Sequence, residues 1–359
     1  MKGYIKELGY YLLAGLMLWY CWIIIVDSIN IREGIIQSVK RCMDILIPSL
    51  FAFMAASGII VRSGLYAILS RPLGFLAKWV FAMPGELFSV FIISNVAGYP
   101  VGAKLLCELT EKGSIDKRTA STMLCFCCNA GPAFISGTIG LAVFGDTRIG
   151  LIVLLSCIIS NFMLAAVMCR IRRSSASFKE QKPHISADIL TESVLSAGRS
   201  LLDICLLVVF FSTVMSVLAH YGILSEMSIR LGIPYAEPIF ASVLEITSIT
   251  QLENASFGYI PVICGICSFG GLCVLLQIIV VVKDRFSLKP FLLTRPAGAM
   301  LSMLNSLWLC RLLLPSDIQA SSNHQQIFVK VNNFVPSVCL ILMIFLLKIK
   351  KGVAFSKRM

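Results

Sequence analysis

The chain has 359 residues, of which 57% are hydrophobic and 14% charged, with a formal net charge of +12. A soluble domain carries about 45–50% apolar and roughly 25% charged residues. The apolar excess lies in long runs, which excludes a soluble fold and points to an all-α polytopic membrane protein. The lysines and arginines fall between those runs, where they set orientation and meet anionic headgroups of the lipid bilayer rather than nucleic acid.

The first apolar run, Leu8 to Val26, is longer than the ~7–15 residues of a signal-peptide core, and no small-residue cleavage site follows it. It is expected to stay as a first helix near 9–27. Further crossings are expected near 43–61, 119–144, 148–169, 200–220, 258–282, 289–314 and 333–350, about eight spans in all. Two other stretches, 85–106 and 237–253, are apolar but interrupted by Gly, Pro or polar residues. They make poor straight spans.

Orientation follows from basic residues near span ends. Arg170, Arg172, Arg173, Lys179 and Lys182 place the loop after 169 in the cytoplasm, and the basic tail KIKKGVAFSKRM goes with it. Segments 62–84 and 104–118 read as inside; 221–236 and 315–331, poor in basic residues, read as outside. These assignments agree only if 85–106 and 237–253 are re-entrant hairpins entering from opposite faces. Such backbone is tolerated at membrane depth where it is buried in protein or lines a wet cavity.

The two halves also repeat each other. Lys40-x3-Asp44-x6-Phe51 followed by Gly64 matches Arg199-x3-Asp203-x6-Phe210 followed by Gly222, and CFCCNAGP (125–132) aligns with CGICSFGG (264–271). The expected organisation is an N-terminal helix (1–39), a first repeat (40–169), a cytoplasmic loop (170–198), a second, inverted repeat (199–314), and a C-terminal helix with a basic tail (315–359). Inverted repeats with discontinuous helices are the architecture of secondary transporters, whose solute site lies near the midplane. Asp44 and Asp203, each four residues after a cation, are expected to make helix-end salt bridges.

Four interruptions carry the chemistry. In SNVAGYPVGAKLL, Asn95, Gly98, Tyr99, Pro100 and Lys104 lie at a hairpin tip where Gly and Pro leave backbone groups free. Asn129-Ala-Gly131-Pro132 breaks an apolar helix, and Pro132 suits the first turn of a new half-helix whose positive end faces the break. Glu245, with Thr247 and Ser248, puts a carboxylate in the second hairpin, where it can pair with a cation, take a proton or accept from a solute. Ser268-Phe-Gly270 breaks the matching helix of the second half. Backbone dipoles, an amide, hydroxyls and a carboxylate suit a small polar or anionic solute.

Fourteen cysteines, mostly inside predicted spans, form no disulfide framework. The group Cys125, Cys127 and Cys128 has no His or acid beside it and reads as buried apolar filling, so no metal or other cofactor is expected. Neither a nucleotide-binding nor a hydrolase motif occurs, and no catalytic residue is assigned.

Gly98-Tyr-Pro-Val-Gly-Ala-Lys104 followed by Asn129-Ala-Gly-Pro132 resembles the YlbJ (SpoVV) sporulation integral membrane proteins, and through them the wider nucleoside-recognition or Gate domain group. Ala97 stands where that family has Ser, and Asn129-Ala-Gly-Pro lacks the family's intervening Ser. The resemblance implies a transporter that moves dipicolinic acid across the outer forespore membrane. The Gate likeness alone leaves a nucleoside carrier open, and a sporulation membrane protein that no longer transports is a third reading.

Overall fold

The computed structural model describes residues 2–172, 183–232, 235–252 and 256–314, and every regular element among them is helical. The predicted span 333–350 and the tail lie outside the described residues.

Helix α1 (Lys2–Val26) leads through Asp27 into α2 (Ser28–Arg41), and a five-residue π-turn, Cys42–Leu46, joins α2 to α3 (Ile47–Arg62). Pro48 has no N–H to give the carbonyl four residues back, and the wider π-turn lies where that bond would fall. At Gly64 (φ +75°) the chain turns by 86° into α4 (Tyr66–Phe81). Then come α5 (Gly85–Ala97), the Gly98-Tyr99-Pro100 break, and α6 (Val101–Glu111). Asp116 caps α7 (Lys117–Met123) by accepting from the Arg118 and Thr119 amides at 3.1 and 3.3 Å.

Residues 124–131 are irregular and, up to Ala130, fully buried. Pro132 and Ala133 open a helix that continues as a π-helix, Phe134–Val143, as a first-turn proline allows. Next are α8 (Thr147–Arg172) and α9 (Ala187–His220); α8 extends to Arg172, and α9 takes in 187–198 of the segment 170–198 expected to be loop. The second half continues with α10 (Ile223–Leu231), α11 (Ala236–Leu244), the Glu245 break and a 3-10 helix (Ile246–Gln251). Helix α12 (Ile260–Phe269) stops at Gly270 (φ +92°), and α13 (Gly271–Val282) and α14 (Lys289–Leu313) follow.

Among the described residues four segments are long and apolar enough to cross a membrane: Gly9–Val26, Thr147–Ile171, Ala187–His220 and Phe257–Val282; the bent pair Leu50–Arg62 and Tyr66–Pro72 makes a fifth if taken as one span. Seven of the eight expected spans fall within the described residues, and two of these, 119–144 and 289–314, are not among the candidates, for visible reasons. The stretch 119–144 divides into a short helix, an irregular segment and a π-helix. Helix α14 has the length, 25 residues, but Arg295, Pro296, Asn305 and Arg311 interrupt its apolar character. Many large apolar side chains of α1, among them Leu12, Leu18, Trp22 and Ile25, are exposed, as suits a lipid-facing helix, while Ile23 is buried.

Helix α3 packs on α9, α8 on α14, α6 on α13, and the π-helix on the 3-10 helix. The α8–α14 contact uses small residues: Ser160 donates to the Gly298 carbonyl at 2.8 Å. An aromatic knot fixes the first hairpin. The Phe91 ring lies 4.8 Å from Phe162, 5.4 Å from Phe126 and 5.8 Å from Phe88, centroid to centroid, tying α5 to α8 and to the irregular segment. Asp44 and Asp203 are exposed and form no ion pair among the described residues, so the expected helix-end salt bridges are not made.

Candidate functional site

The tip of the first hairpin is seated on the first helix break. Gly98 has φ +82° and ψ 172°, a conformation open essentially to glycine alone. A Cβ there would come within 2.9 Å of the Gly131 Cα and N atoms, and one on Gly102 would come within 1.9 Å of the Cys127 carbonyl oxygen. The glycines therefore let two backbones touch. They do not simply open the chain toward a solute, as the sequence suggested. Part of the tip backbone is also satisfied, since Val101 N–H donates to the Gly98 carbonyl and Lys104 N–H to the Pro100 carbonyl, both at 3.1 Å.

Tyr99 carries the tip to the second break. Its hydroxyl donates to the Cys267 carbonyl, and its ring lies 3.5 Å from where a Cβ on Gly270 would stand. Beneath the tip lies a buried amide network. Asn95 Nδ2 donates to the Phe91 and Phe126 carbonyls at 2.9 and 3.3 Å, and its Oδ1 accepts from Asn161 Nδ2 at 2.8 Å. Asn161 Nδ2 also reaches the Cys128 carbonyl at 3.3 Å, and Asn129 Nδ2 reaches the Asn95 carbonyl at 3.5 Å.

Arg295 closes the arrangement from α14. Its Nη1 donates to the carbonyls of Cys128 (3.3 Å) and Ser268 (3.0 Å), and its Nη2 to that of Cys125. Its guanidinium carbon stands 4.7 Å from the centre of the Phe291 ring, a cation–π contact. One cation thus joins the carbonyls of both breaks, including one at the C-terminal end of α12, where the helix dipole favours positive charge. Four buried polar atoms here and in α6 have no hydrogen-bond partner among the described residues: Arg295 Nε, Asn129 Oδ1, Asn161 Oδ1 and Lys104 Nζ.

The second hairpin builds a neighbouring cluster. Glu245 is 2% exposed, so it lies in the interior. Its carboxylate accepts from the Thr247 amide at 3.0 Å, from the Thr247 hydroxyl, and from the Ser248 hydroxyl at 3.5 Å, capping the 3-10 helix. Arg41 reaches Thr247 Oγ1 at 3.4 Å. This tip sits on the second break as the first tip sits on the first: a Cβ on Gly271 would lie 3.3 Å from the Ser242 and Val243 carbonyl oxygens.

Of the residues picked out in the sequence, Asn95, Gly98, Tyr99, Asn129, Gly131, Ser268 and Gly270 belong to one contiguous arrangement. Pro100 lies at its tip. Glu245, Thr247 and Ser248 form the adjoining cluster, reached through Gly271, and Lys104 is buried along α6. Sequence reasoning missed Arg295 and Asn161. The signal was present: each is a polar residue inside a predicted span, the feature by which Glu245 was singled out. Among the described residues no group of three His, Cys, Asp or Glu side chains is placed to hold a metal ion. Comparisons of the chain with family models, with curated proteins and with solved structures return no match.

Proposed function

We propose that this membrane protein is a carrier for a small anion, built from two inverted repeats that expose a shared site to each side in turn. The observation that carries the reading is the meeting of two broken helices and two hairpin tips around buried polar groups, joined by Tyr99 and Arg295. Irregular backbone at membrane depth is tolerated only where it is buried in protein or lines a wet cavity, and secondary transporters build their solute sites from such breaks. The packing supports the repeats. Exchanging the halves maps α3 onto α9 and α8 onto α14, and maps the α6–α13 contact onto that of the 3-10 helix with the π-helix; all four contacts are present.

The solute we propose is dipicolinate, and the location the outer forespore membrane, both on the resemblance to the YlbJ sporulation proteins. The test is uptake of labelled dipicolinate into liposomes containing the purified full chain, with labelled uridine as the parallel arm. Saturable dipicolinate uptake is the expected result. Uptake of uridine alone moves the protein to the nucleoside reading, and uptake of neither solute, with normal dipicolinate content in spores lacking the protein, removes the carrier reading.

A further inference from the structure

We propose that Arg295 is the residue that recognises the solute's charge, its guanidinium pairing with a carboxylate of the transported molecule. This rests on the carrier reading above and adds to it the residue and the ligand chemistry. Arg295 is 1% exposed, and every hydrogen bond it makes goes to a neutral backbone carbonyl. Among the described residues no Asp or Glu forms an ion pair with it. A charge buried at membrane depth with neutral partners only is held at considerable cost, and such residues mark solute or ion pathways. Glu245, the buried carboxylate of the neighbouring cluster, is engaged by Thr247 and Ser248.

The free donor is the second observation. Arg295 Nε is buried and has no hydrogen-bond partner among the described residues. The Nε and Nη groups along one edge of a guanidinium form the fork that fits the two oxygens of a carboxylate. That fork has an unused member here, and the charge it would bring is the one the site lacks.

The same contacts connect binding to movement. Cys125 and Cys128 belong to the irregular segment of the first break, and Ser268 lies two residues before Gly270 in the second. A carboxylate drawing the guanidinium toward itself loosens the carbonyl contacts that tie the two breaks together. The Cys128 carbonyl keeps a donor when that happens, because Asn161 Nδ2 shares it at 3.3 Å.

The test measures solute-dependent thermal protection of the full-length protein in detergent, using dipicolinate and its dicarboxamide, in the wild type and in Arg295→Lys and Arg295→Gln. We expect dipicolinate to protect the wild type and the dicarboxamide to bind about 30-fold or more weakly, the size of effect seen when a buried charge loses its partner. Arg295→Gln should lose dipicolinate protection by a similar factor, and Arg295→Lys, which keeps the charge but not the fork, should retain part of it. Equal binding of dicarboxamide and dipicolinate to the wild type overturns the assignment, and that comparison stands whether or not the variants fold. Unchanged dipicolinate binding in either folded variant also overturns it. These results leave the carrier reading in place; if the wild type neither binds nor transports any of the solutes, both fall together.

Discussion

Gly102 shows how a single atom is excluded by the arrangement. It lies on α6, where alanine is ordinarily about 1 kcal/mol better than glycine. A Cβ on Gly102 would nevertheless stand 1.9 Å from the Cys127 carbonyl oxygen, and a backbone carbonyl in a packed interior has little room to retreat. Gly102→Ala is therefore expected to destabilise the protein by about 1–3 kcal/mol or more, read as a lower unfolding midpoint in detergent and a lower yield of folded protein. Gly74→Ala is the control, since a Cβ there meets nothing within 4 Å, and it should be neutral or mildly stabilising. If both variants behave alike, the contact between the hairpin tip and the first break is not as described. Glycine spacing in the sequence identified this position as special but not its reason. A glycine that opens backbone to a ligand and one that admits another backbone look identical in a linear chain. Arg295 is the opposite case, since one cation in an apolar run is legible from sequence, yet its three carbonyl partners come from residues 125, 128 and 268. No local pattern brings those together.

Among the elements, the breaks were the most legible feature. Glycine, proline and polar residues within apolar runs marked the interruptions at 98–100, 129–132, 245 and 270, and the chain is interrupted at or beside each of them. What the sequence did not reveal is how a short, interrupted helix is held in place. Helix α5 has only 13 residues, and its composition is apolar on nearly every face. Periodicity cannot orient such a helix, because no polar face is set against an apolar one. Its position is instead determined by ring contacts with α8 and with the irregular segment before Pro132. Phe91 is at the centre of these contacts and is fully buried. Phe91→Ala is expected to cost about 3–5 kcal/mol and to release the hairpin, so that protease or hydrogen-exchange protection falls across 85–106 before it falls elsewhere. Phe75, 79% exposed on α4, gives the comparison: Phe75→Ala should leave that protection unchanged. Equal loss in both variants would mean that the knot does not position α5.

Across the whole molecule, the ion pairs gather at the ends of helices. Arg62, closing α3, pairs with Glu108 on α6 and Glu192 near the start of α9, and Lys112 donates to the Arg62 carbonyl at 3.0 Å. Arg285, between α13 and α14, pairs with Glu111 at the end of α6. These contacts bring the end of the first hairpin, the start of α9 and the α13–α14 turn to one face. Asp27, between α1 and α2, meets His220 at the far end of α9, which spans Ala187–His220 and so places this pair at the other face. The two re-entrant hairpins proposed above are compatible with this division. The expectation can be checked with a membrane-impermeant maleimide, after replacing with serine Cys21, the exposed cysteine among the described residues, and Cys339, which lies outside them. Lys78→Cys and Lys117→Cys flank the first hairpin at exposed positions, and Met227→Cys and Gln251→Cys flank the arms of the second. The first pair should label in inside-out vesicles and the second pair on intact cells. Labelling of Lys78→Cys and Lys117→Cys from opposite sides would make 85–106 a crossing segment. The inverted repeat would then fail, and with it the alternation of access that the carrier reading needs.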